Sequence, residues 1–395
     1  MKLPIYLDHH ATTPTDPRVV EAMLPHFTRD YGNPSSASHA FGWRAEAAVE
    51  DARERLAAAI GAARPEEIVF TSGTTESDNL ALKGVARARA GRRDHLVTAQ
   101  TEHAAVLDSC RALEAEGFAV TYLPVDRDGL VDPEAVGRAI GDRTALVSIM
   151  AANSEIGVLQ PLEAIGRICR ERGVLFHTDA AQAVGKIPVD VERWQVDLLS
   201  MCAHKLYGPK GVGALYVRQR RPRIRLEPLL HGGGHERGLR PGTLAVPLVV
   251  GFARAAELCL EDLDGEALRL RGLRQQLWER LTKALDDVHL NGHPDRRLPG
   301  NLNVSFAGVE ADGLIVALKD VALSSGSACA SASPEPSHVL RALGLPPDLA
   351  RAALRFGIGR GNTAEEIDWV ADRLIEQVRE GRRGPARGPR RIPTQ

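Results

Sequence analysis

The sequence predicts an α/β protein, with a large domain built on a mainly parallel sheet and a smaller α+β domain. Two observations carry this prediction. Up to about residue 260, short apolar runs alternate with helical patterns, as is typical of parallel sheets with helices on both faces. Beyond that point the alternation stops. We therefore assign 14–260 to the large domain, and 1–13 together with 261–380 to the small one.

The expected elements follow in order. Strands are predicted at 67–70, 95–98, 118–122, 144–149, 174–176, 196–199 and 213–217, and helices at 74–90, 103–116 and 162–172. A long helical segment at 246–285 should break near Gly265, because glycine is a poor helix former. In the small domain we expect strands at 301–306 and 355–358, and helices at 312–319 and from Thr363 onward.

Composition narrows the functional classes. The 395 residues are 44% hydrophobic and 26% charged, with a net charge of −1, so no global field favours nucleic acid or a membrane as a partner. No apolar run approaches the roughly 18 residues of a membrane span, and the start of the chain does not resemble a signal peptide. Five scattered cysteines without a Cys-x-x-Cys pair predict a cytoplasmic protein without a disulfide framework. The Arg-rich segment 381–395 is expected to be a disordered basic tail.

An acid and an amine follow two neighbouring strand signals. Asp179 ends the run that begins at Val174, and Lys205 follows the run at 196–199. The carboxyl ends of parallel strands are where α/β sheets bind ligands. A carboxylate for a pyridinium nitrogen and a lysine for a Schiff base are the pair that pyridoxal phosphate (PLP) requires. The alternative is a strand-end Asp and a surface Lys that never meet.

Two glycine-containing segments are candidate binding loops. Residues 71–75, Thr-Ser-Gly-Thr-Thr, lie between a strand and a helix, where backbone N–H groups can hold a phosphate; an ordinary helix cap is the alternative. His231 and His235 flank three glycines, which disfavours the helix that two zinc-binding histidines four residues apart would need. For 231–238 we therefore favour a backbone-rich active-site loop.

Two further residues stand in unusual surroundings. Cys329 lies in a run of small residues, 324–333, which cannot pack a core, so an accessible, reactive thiol is favoured over a buried one. Arg355 lies in the apolar run 352–358 and needs an anionic partner. A substrate carboxylate and a structural salt bridge are both open for it.

From Tyr6 to about Asp368 the chain resembles the class I cysteine desulfurases of the NifS/IscS type, in the aminotransferase class V group. The resemblance rests on motifs in the family's order, namely 6–14, 32–36, 71–79, 101–103, 179–182, 204–211, 231–238 and 324–329. It implies a PLP-dependent transferase of fold type I, similar to aspartate aminotransferase. The implied reaction converts L-cysteine to L-alanine, and the sulfur passes to Cys329 as a persulfide.

The resemblance also implies residue roles. Lys205 binds the cofactor covalently and moves the Cα proton, while His103 stacks on the ring as an acid or base. Asp179 contacts the ring nitrogen, and Gln182 and Ser154 the ring hydroxyl. The phosphate is held by Thr74, Thr75, Cys202 and His204, with Thr243 reaching in from the second subunit of a homodimer. Asn33 and Arg355 hold the substrate carboxylate. The family usually has Asn where Ser154 stands and Ser where Cys202 stands.

The implied sulfur acceptor is an iron–sulfur scaffold protein or a sulfur carrier for tRNA thiolation. No intrinsic metal is expected, although Cys329 is a possible transient iron–sulfur ligand with a scaffold. Within the same class, a selenocysteine lyase or another class V aminotransferase is the alternative. From a different class, the alternative is a sulfur-relay or scaffold-binding protein without catalysis, which retention of Lys205, Asp179 and His103 disfavours.

Overall fold

The computed structural model describes residues 2–325 and 336–383. The predicted sulfur acceptor, Cys329, therefore lies outside the described residues. The strands are β1 Ile5–Tyr6, β2 Ile68–Thr71, β3 His95–Ala99, β4 Ala119–Leu123, β5 Thr144–Ser148, β6 Leu175–Asp179, β7 Leu198–Cys202, β8 Gly213–Val217, β9 Val288–Leu290, β10 Asn301–Phe306, β11 Val321–Ala322 and β12 Ala353–Gly357.

The α-helices alternate with these strands over the first part of the chain. They are α1 Pro17–Met23, α2 Pro25–Thr28, α3 Ala40–Ala59, α4 Thr74–Ala88, α5 Ala104–Ala115, α6 Pro133–Ala139, α7 Leu162–Glu171, α8 Val246–Leu260, α9 Leu263–Ala284, α10 Ala311–Ala317, α11 His338–Ala342, α12 Pro347–Arg351 and α13 Ala364–Arg383. Among these described helices, none is long and apolar enough to cross a membrane.

Seven of the described strands form the main sheet, in the order β2-β8-β7-β6-β5-β3-β4. Its strands pair in parallel except β8, which is antiparallel to both β2 and β7. One apolar cluster contains Leu56, Val147 and Phe252, and a second contains Val85, Leu146 and Val106. Because Leu146 and Val147 are adjacent in β5, these clusters lie on opposite faces of the sheet. The predicted α/β fold with a mainly parallel sheet is confirmed.

A separate hydrophobic core surrounds a smaller sheet. Strands β12, β10 and β9 are antiparallel, and helices α9 and α13 supply Leu277 and Leu374 to the cluster that contains Phe306. Leu7 belongs to the same cluster, and β1 pairs with β11. The predicted domain boundary falls at the end of α8 and stays a prediction.

Two element boundaries differ from the expectation. The long helical segment breaks at 261–262, and Gly265 lies inside α9. A Cβ at Gly265 would lie 2.3 Å from Asp262 Oδ1, so this glycine makes room for the carboxylate at the start of the helix. Helix α13 continues through Arg383, where Arg382 Nε donates to the Ala307 carbonyl at 2.9 Å. The predicted tail therefore does not begin at Gly381, and its remainder, 384–395, lies outside the described residues.

Candidate active site

Asp179 and Lys205 lie at the same edge of the main sheet. Asp179 is the last residue of β6 and pairs with Ser200 of the parallel strand β7. Lys205 ends the short 3-10 turn, Ala203–Lys205, that follows β7. Because neighbouring parallel strands end at the same edge, the acid and the amine are both presented where such sheets bind ligands.

The Asp179 carboxyl is buried and has one bound oxygen. Oδ1 accepts a hydrogen bond from the Ala181 backbone N–H at 2.9 Å, and none of the described residues donates to Oδ2. Burial raises the pKa of Asp179, while the charges of His103 and Lys205 oppose that shift. A cationic group placed against this carboxyl would favour its ionised form.

Gln182 and the His10 backbone organise the space beside Lys205. Lys205 Nζ donates to the His10 carbonyl at 2.6 Å, and Gln182 Nε2 donates to the same oxygen at 2.8 Å. Gln182 Oε1 accepts from Lys186 Nζ at 2.6 Å and lies 3.2 Å from His10 Nδ1. Gln182, predicted to contact a ring hydroxyl, is thus bonded at both ends to groups of this chain.

His103 forms the N-cap of α5, and this fixes the location of its proton. Its Nδ1 accepts a hydrogen bond from the Ala105 backbone N–H at 3.1 Å. In the neutral ring the proton is therefore on Nε2. The Nε2–H of a neutral His103 can therefore donate a hydrogen bond.

A helix N-terminus lies opposite the end of β7. Gly73 is the N-cap of α4 with φ +156°, and a Cβ built there meets nothing within 4 Å. Thr74 Oγ1 in the first turn is buried without a hydrogen bond of normal geometry among the described residues, although it lies close enough to the Cys202 thiol to oppose the rise that burial causes in that thiol's pKa. Thr75 follows Thr74 in the same turn. Open space, an unpaired hydroxyl and free N–H groups at a positive helix end suit an anion.

Cys202 and His204 follow at the end of β7. Burial raises the pKa of the Cys202 thiol. For His204, burial first and then the Lys205 charge lower the pKa to about 4, so the ring is neutral near pH 7. Its Nδ1 lies 3.2 Å from Thr12 Oγ1. Both residues therefore offer uncharged polar groups.

Several of the predicted site residues line one cavity of about 190 Å³. Its wall contains His103, Ser154, Lys205 and Arg355, which come from four separate parts of the chain. Asp179 is close enough to His103 and Lys205 for their charges to act on its pKa. The structure thus gathers residues that are up to 252 positions apart in sequence, from His103 to Arg355.

Arg355 is buried at the rim of this cavity and already has an acidic partner. Its Nη2 donates to Asp8 Oδ1 at 2.7 Å, and Nη1 donates to the Ser154 carbonyl at 3.1 Å. Its Nε is buried without a hydrogen-bond partner among the described residues. Both interpretations open from the sequence are therefore compatible with its position: it forms a salt bridge, and it lines the cavity.

Two predicted site residues are not brought to this cavity within one chain. Asn33 is exposed, and its Oδ1 accepts from the Ser35 backbone N–H at 2.9 Å. Thr243 is also exposed. The loop that precedes Thr243 is anchored by Glu236, which is buried and pairs with Arg53 at 2.8 Å.

The sequence analysis did not single out several residues of the site. His10 and His338 line the cavity, and Lys186 is bonded to Gln182. His10 lies inside the 6–14 motif, so its position was a usable signal. The residues next to Lys186 and His338 in the sequence form no recognisable motif, and only the tertiary fold brings the two side chains near Lys205.

The donor set fits pyridoxal phosphate. A buried carboxyl with one unbound oxygen suits a pyridinium nitrogen. The open N-terminus of α4, with the buried and unpaired Thr74 hydroxyl, suits a phosphate. Lys205 provides the amine in the wall of the cavity that also contains His103 and Arg355. With the seven-stranded sheet, these groups define a PLP-dependent enzyme of fold type I.

The chain belongs to the aminotransferase class-V family, whose model matches residues 5–370, and it groups with the NifS/IscS-like cysteine desulfurases. It is 59% identical over 379 residues to "Cysteine desulfurase IscS" of Anaeromyxobacter sp. (strain K), covering 96% of this chain and 93% of that protein. It is 57% identical over 376 residues to "Cysteine desulfurase" of Mus musculus, covering 95% and 82%.

Solved structures agree with this assignment. A "NifS-like protein" superposes with a TM-score of 0.88 at 39% identity, covering 95% of this chain and 99% of that one. A structure described as "SspA in complex with cysteine" gives a TM-score of 0.80 at 40% identity, covering 90% and 98%. The predicted family, fold, enzyme class and cofactor are confirmed.

Proposed function

We propose that this cysteine desulfurase transfers the sulfur of L-cysteine to Cys329 and releases L-alanine. The C–S bond of the substrate breaks, and an S–S bond forms to Cys329, so the sulfur is oxidised and the substrate carbon is reduced. Atoms and electrons balance without a further reductant. The observation that carries the proposal is the single cavity that contains His103, Lys205 and Arg355.

The cofactor would be held by residues already described. Thr74, Thr75, Cys202 and His204 would hold the phosphate, Asp179 the ring nitrogen, and Lys205 the reactive carbon. Gln182 and Ser154 are proposed to contact the ring hydroxyl. When bound, PLP supplies an electron sink for the bonds at the substrate Cα.

Side chains of the protein carry out the proton transfers and bind the substrate carboxylate. Lys205 removes and returns the Cα proton, from its position at the end of β7. His103 is proposed to act as an acid or base through Nε2, the nitrogen that the α5 cap leaves available because Nδ1 accepts from the Ala105 N–H. Arg355 offers Nε to the substrate carboxylate while Nη2 remains with Asp8. Asn33 is proposed to contact the same carboxylate.

The chain on either side of Cys329 supports its role as sulfur acceptor. Ser324 pairs with Arg355 through the backbone, with Arg355 N–H donating to its carbonyl at 2.7 Å. His338 lines the cavity and lies 3.0 Å from the Glu102 carbonyl through Nε2. Both ends of the segment that carries Cys329 are thus attached beside the cavity.

We further propose a homodimer with composite sites. Large apolar side chains are exposed between residues 20 and 43, namely Val20, Leu24, Phe27, Tyr31, Phe41 and Trp43. A concentration of such side chains favours burial against a partner, and twofold symmetry would cover both copies. The exposed Thr243 would then serve the neighbouring subunit's phosphate. We propose a cytoplasmic location and a sulfur-acceptor protein, either an iron–sulfur scaffold or a carrier for tRNA thiolation.

The activity is tested with purified protein and L-cysteine, by measuring alanine together with the mass of the Cys329 peptide. We expect one alanine and one added sulfur per site in a single turnover. Cys329→Ser should keep the PLP absorbance and lose sulfur transfer, because a hydroxyl cannot accept sulfane sulfur. Cys110→Ser is the matched control at a buried cysteine. Sulfide release by Cys329→Ser at the wild-type rate would exclude the persulfide role.

A further inference from the structure

Lys186 is a second lysine close to the reaction centre. It lies beyond the end of β6, and its Nζ donates to Gln182 Oε1 at 2.6 Å. It also lines a second cavity of about 260 Å³, and His10 contributes to the walls of both this cavity and the first. None of the roles assigned above uses Lys186.

A short hydrogen-bonded chain connects the two amines. Gln182 Nε2 and Lys205 Nζ both donate to the His10 carbonyl, at 2.8 and 2.6 Å. Since a carbonyl only accepts, the Gln182 amide must turn its nitrogen to His10 and its oxygen to Lys186. The orientation of Gln182 is therefore fixed from one side by His10 and from the other by the Lys186 ammonium.

The surroundings of Lys186 provide little compensating negative charge. The groups that act on it electrostatically are Lys205, Cys202, Cys259 and Arg355, and His9 and His10 also face the cavity. Burial first, and then the Lys205 charge, lower the pKa of Lys186 to about 7. No described carboxylate forms an ion pair with it.

Other charged groups of the second cavity are mostly engaged elsewhere. Arg18 and Arg360 both pair with Asp16, at 2.8 Å each, and the Arg360 guanidinium lies over the Tyr207 ring. Glu266 pairs with Arg269 at 2.8 Å, and Glu261 with Arg254 at 3.4 Å. Asp262 directs its carboxylate toward the backbone at Gly265. Lys186 is itself partly exposed in the wall of this cavity, and its interaction with Lys205 is one of like charges.

We infer that Lys186 is a positioning residue: its ammonium orients Gln182 and, by like-charge repulsion, favours the uncharged form of the Lys205 nitrogen. A neighbouring cation is one of the ways in which proteins make a lysine amine available for chemistry. The inference rests on the proposed role of Lys205. It assigns to Lys186 an electrostatic effect that a purely structural contact would not produce.

The test is a pH titration of the bound cofactor's absorbance in the holoenzyme. Because its pKa is lowered to about 7, Lys186 carries its charge below that pH. Lys186→Met removes this charge, so we expect the midpoint to rise by up to about one pH unit, the size of a screened charge–charge interaction over this range. Lys186→Arg is charged at every pH of the titration and should give a midpoint at or below the wild-type value. Lys319→Met, at an exposed site, removes a remote lysine and should leave the midpoint unchanged.

Lys186→Gln provides a second neutral variant that can still hydrogen bond to Gln182, in case the methionine variant folds poorly. An unchanged midpoint in a neutral variant that binds PLP would overturn the inference. Lys205→Ala separates this outcome from failure of the proposed function. If Lys205→Ala abolishes the titration while Lys186→Gln leaves it unshifted, only the inference fails; if Lys205→Ala retains the titration, the assigned role of Lys205 fails.

Discussion

The predicted site residues fall into two groups that differ in how one chain holds them. Asp179, Lys205 and His103 are attached to strand ends or a helix cap, with backbone hydrogen bonds on either side. Asn33 and Thr243 stand exposed on loops. The first group is organised within a single chain, whereas neither Asn33 nor Thr243 lines the cavity. This difference is the basis of the proposed composite site, in which the neighbouring subunit completes the binding site.

The largest expected effect is on activity, in dimers that mix one variant from each group, Lys205→Ala and Thr243→Asp. Lys205→Ala should abolish turnover, because it removes the amine that moves the Cα proton. Thr243→Asp should do so by placing a carboxylate against the phosphate. In a mixed dimer, one composite site collects both defects and the other has neither. We expect random mixing to restore about a quarter of wild-type activity, since half of the dimers are mixed and half of their sites are intact.

Activity is measured as alanine release, and heterodimer formation is verified by two different affinity tags. Each variant dimer alone is the control and should be inactive. Heterodimers that form but recover no activity would show that Thr243 serves its own subunit.

A smaller effect, on the free energy of unfolding, is expected at Glu236, which anchors the loop that precedes Thr243. Glu236 accepts from both nitrogens of the Arg53 fork and from the Phe70 backbone N–H, at 2.8–2.9 Å. Glu236→Gln should lower the free energy of unfolding by about 3 kcal/mol, because it leaves a buried guanidinium short of its counter-charge.

The matched control is Glu50→Gln, which removes an exposed partner of the same arginine and should cost less than about 1 kcal/mol. Both values come from urea unfolding of the holoenzyme. Equal costs for the two variants would show that the loop is not held by the buried pair.

The smallest effects concern the two departures from the family pattern, Cys202 and Ser154. Cys202→Ser and Ser154→Asn should each strengthen PLP binding, by at most about tenfold in dissociation constant, since each supplies a better or longer hydrogen-bonding group. The constants are measured by reconstituting the apoenzyme with PLP. Weaker binding in both variants would indicate that other groups already replace the missing contacts.

Asp179 and Lys205 could be predicted from the sequence as neighbours at the edge of the sheet. Each follows an apolar run that is visible in the sequence, and parallel strands end at the same edge of a sheet. His10 and Lys186 were not predicted. The bond between His10 and Gln182 spans 172 positions, so the motifs that contain the two residues do not by themselves show that they meet. The break before α9 was displaced because Gly265 accommodates the Asp262 side chain and does not end the helix.

The pairing of β6 with β7 matters for attempts to change the substrate preference of the enzyme. Asp179 lies opposite Ser200 in a ladder of backbone hydrogen bonds, so the spacing of acid and amine is set by strand register and not by side-chain packing. The cavity walls also contain the segments 10–11 and 150–155 and residues of α11, which lie outside this strand pair. Substrate preference can therefore be altered at α11 while the spacing of Asp179 and Lys205 is inherited from the sheet.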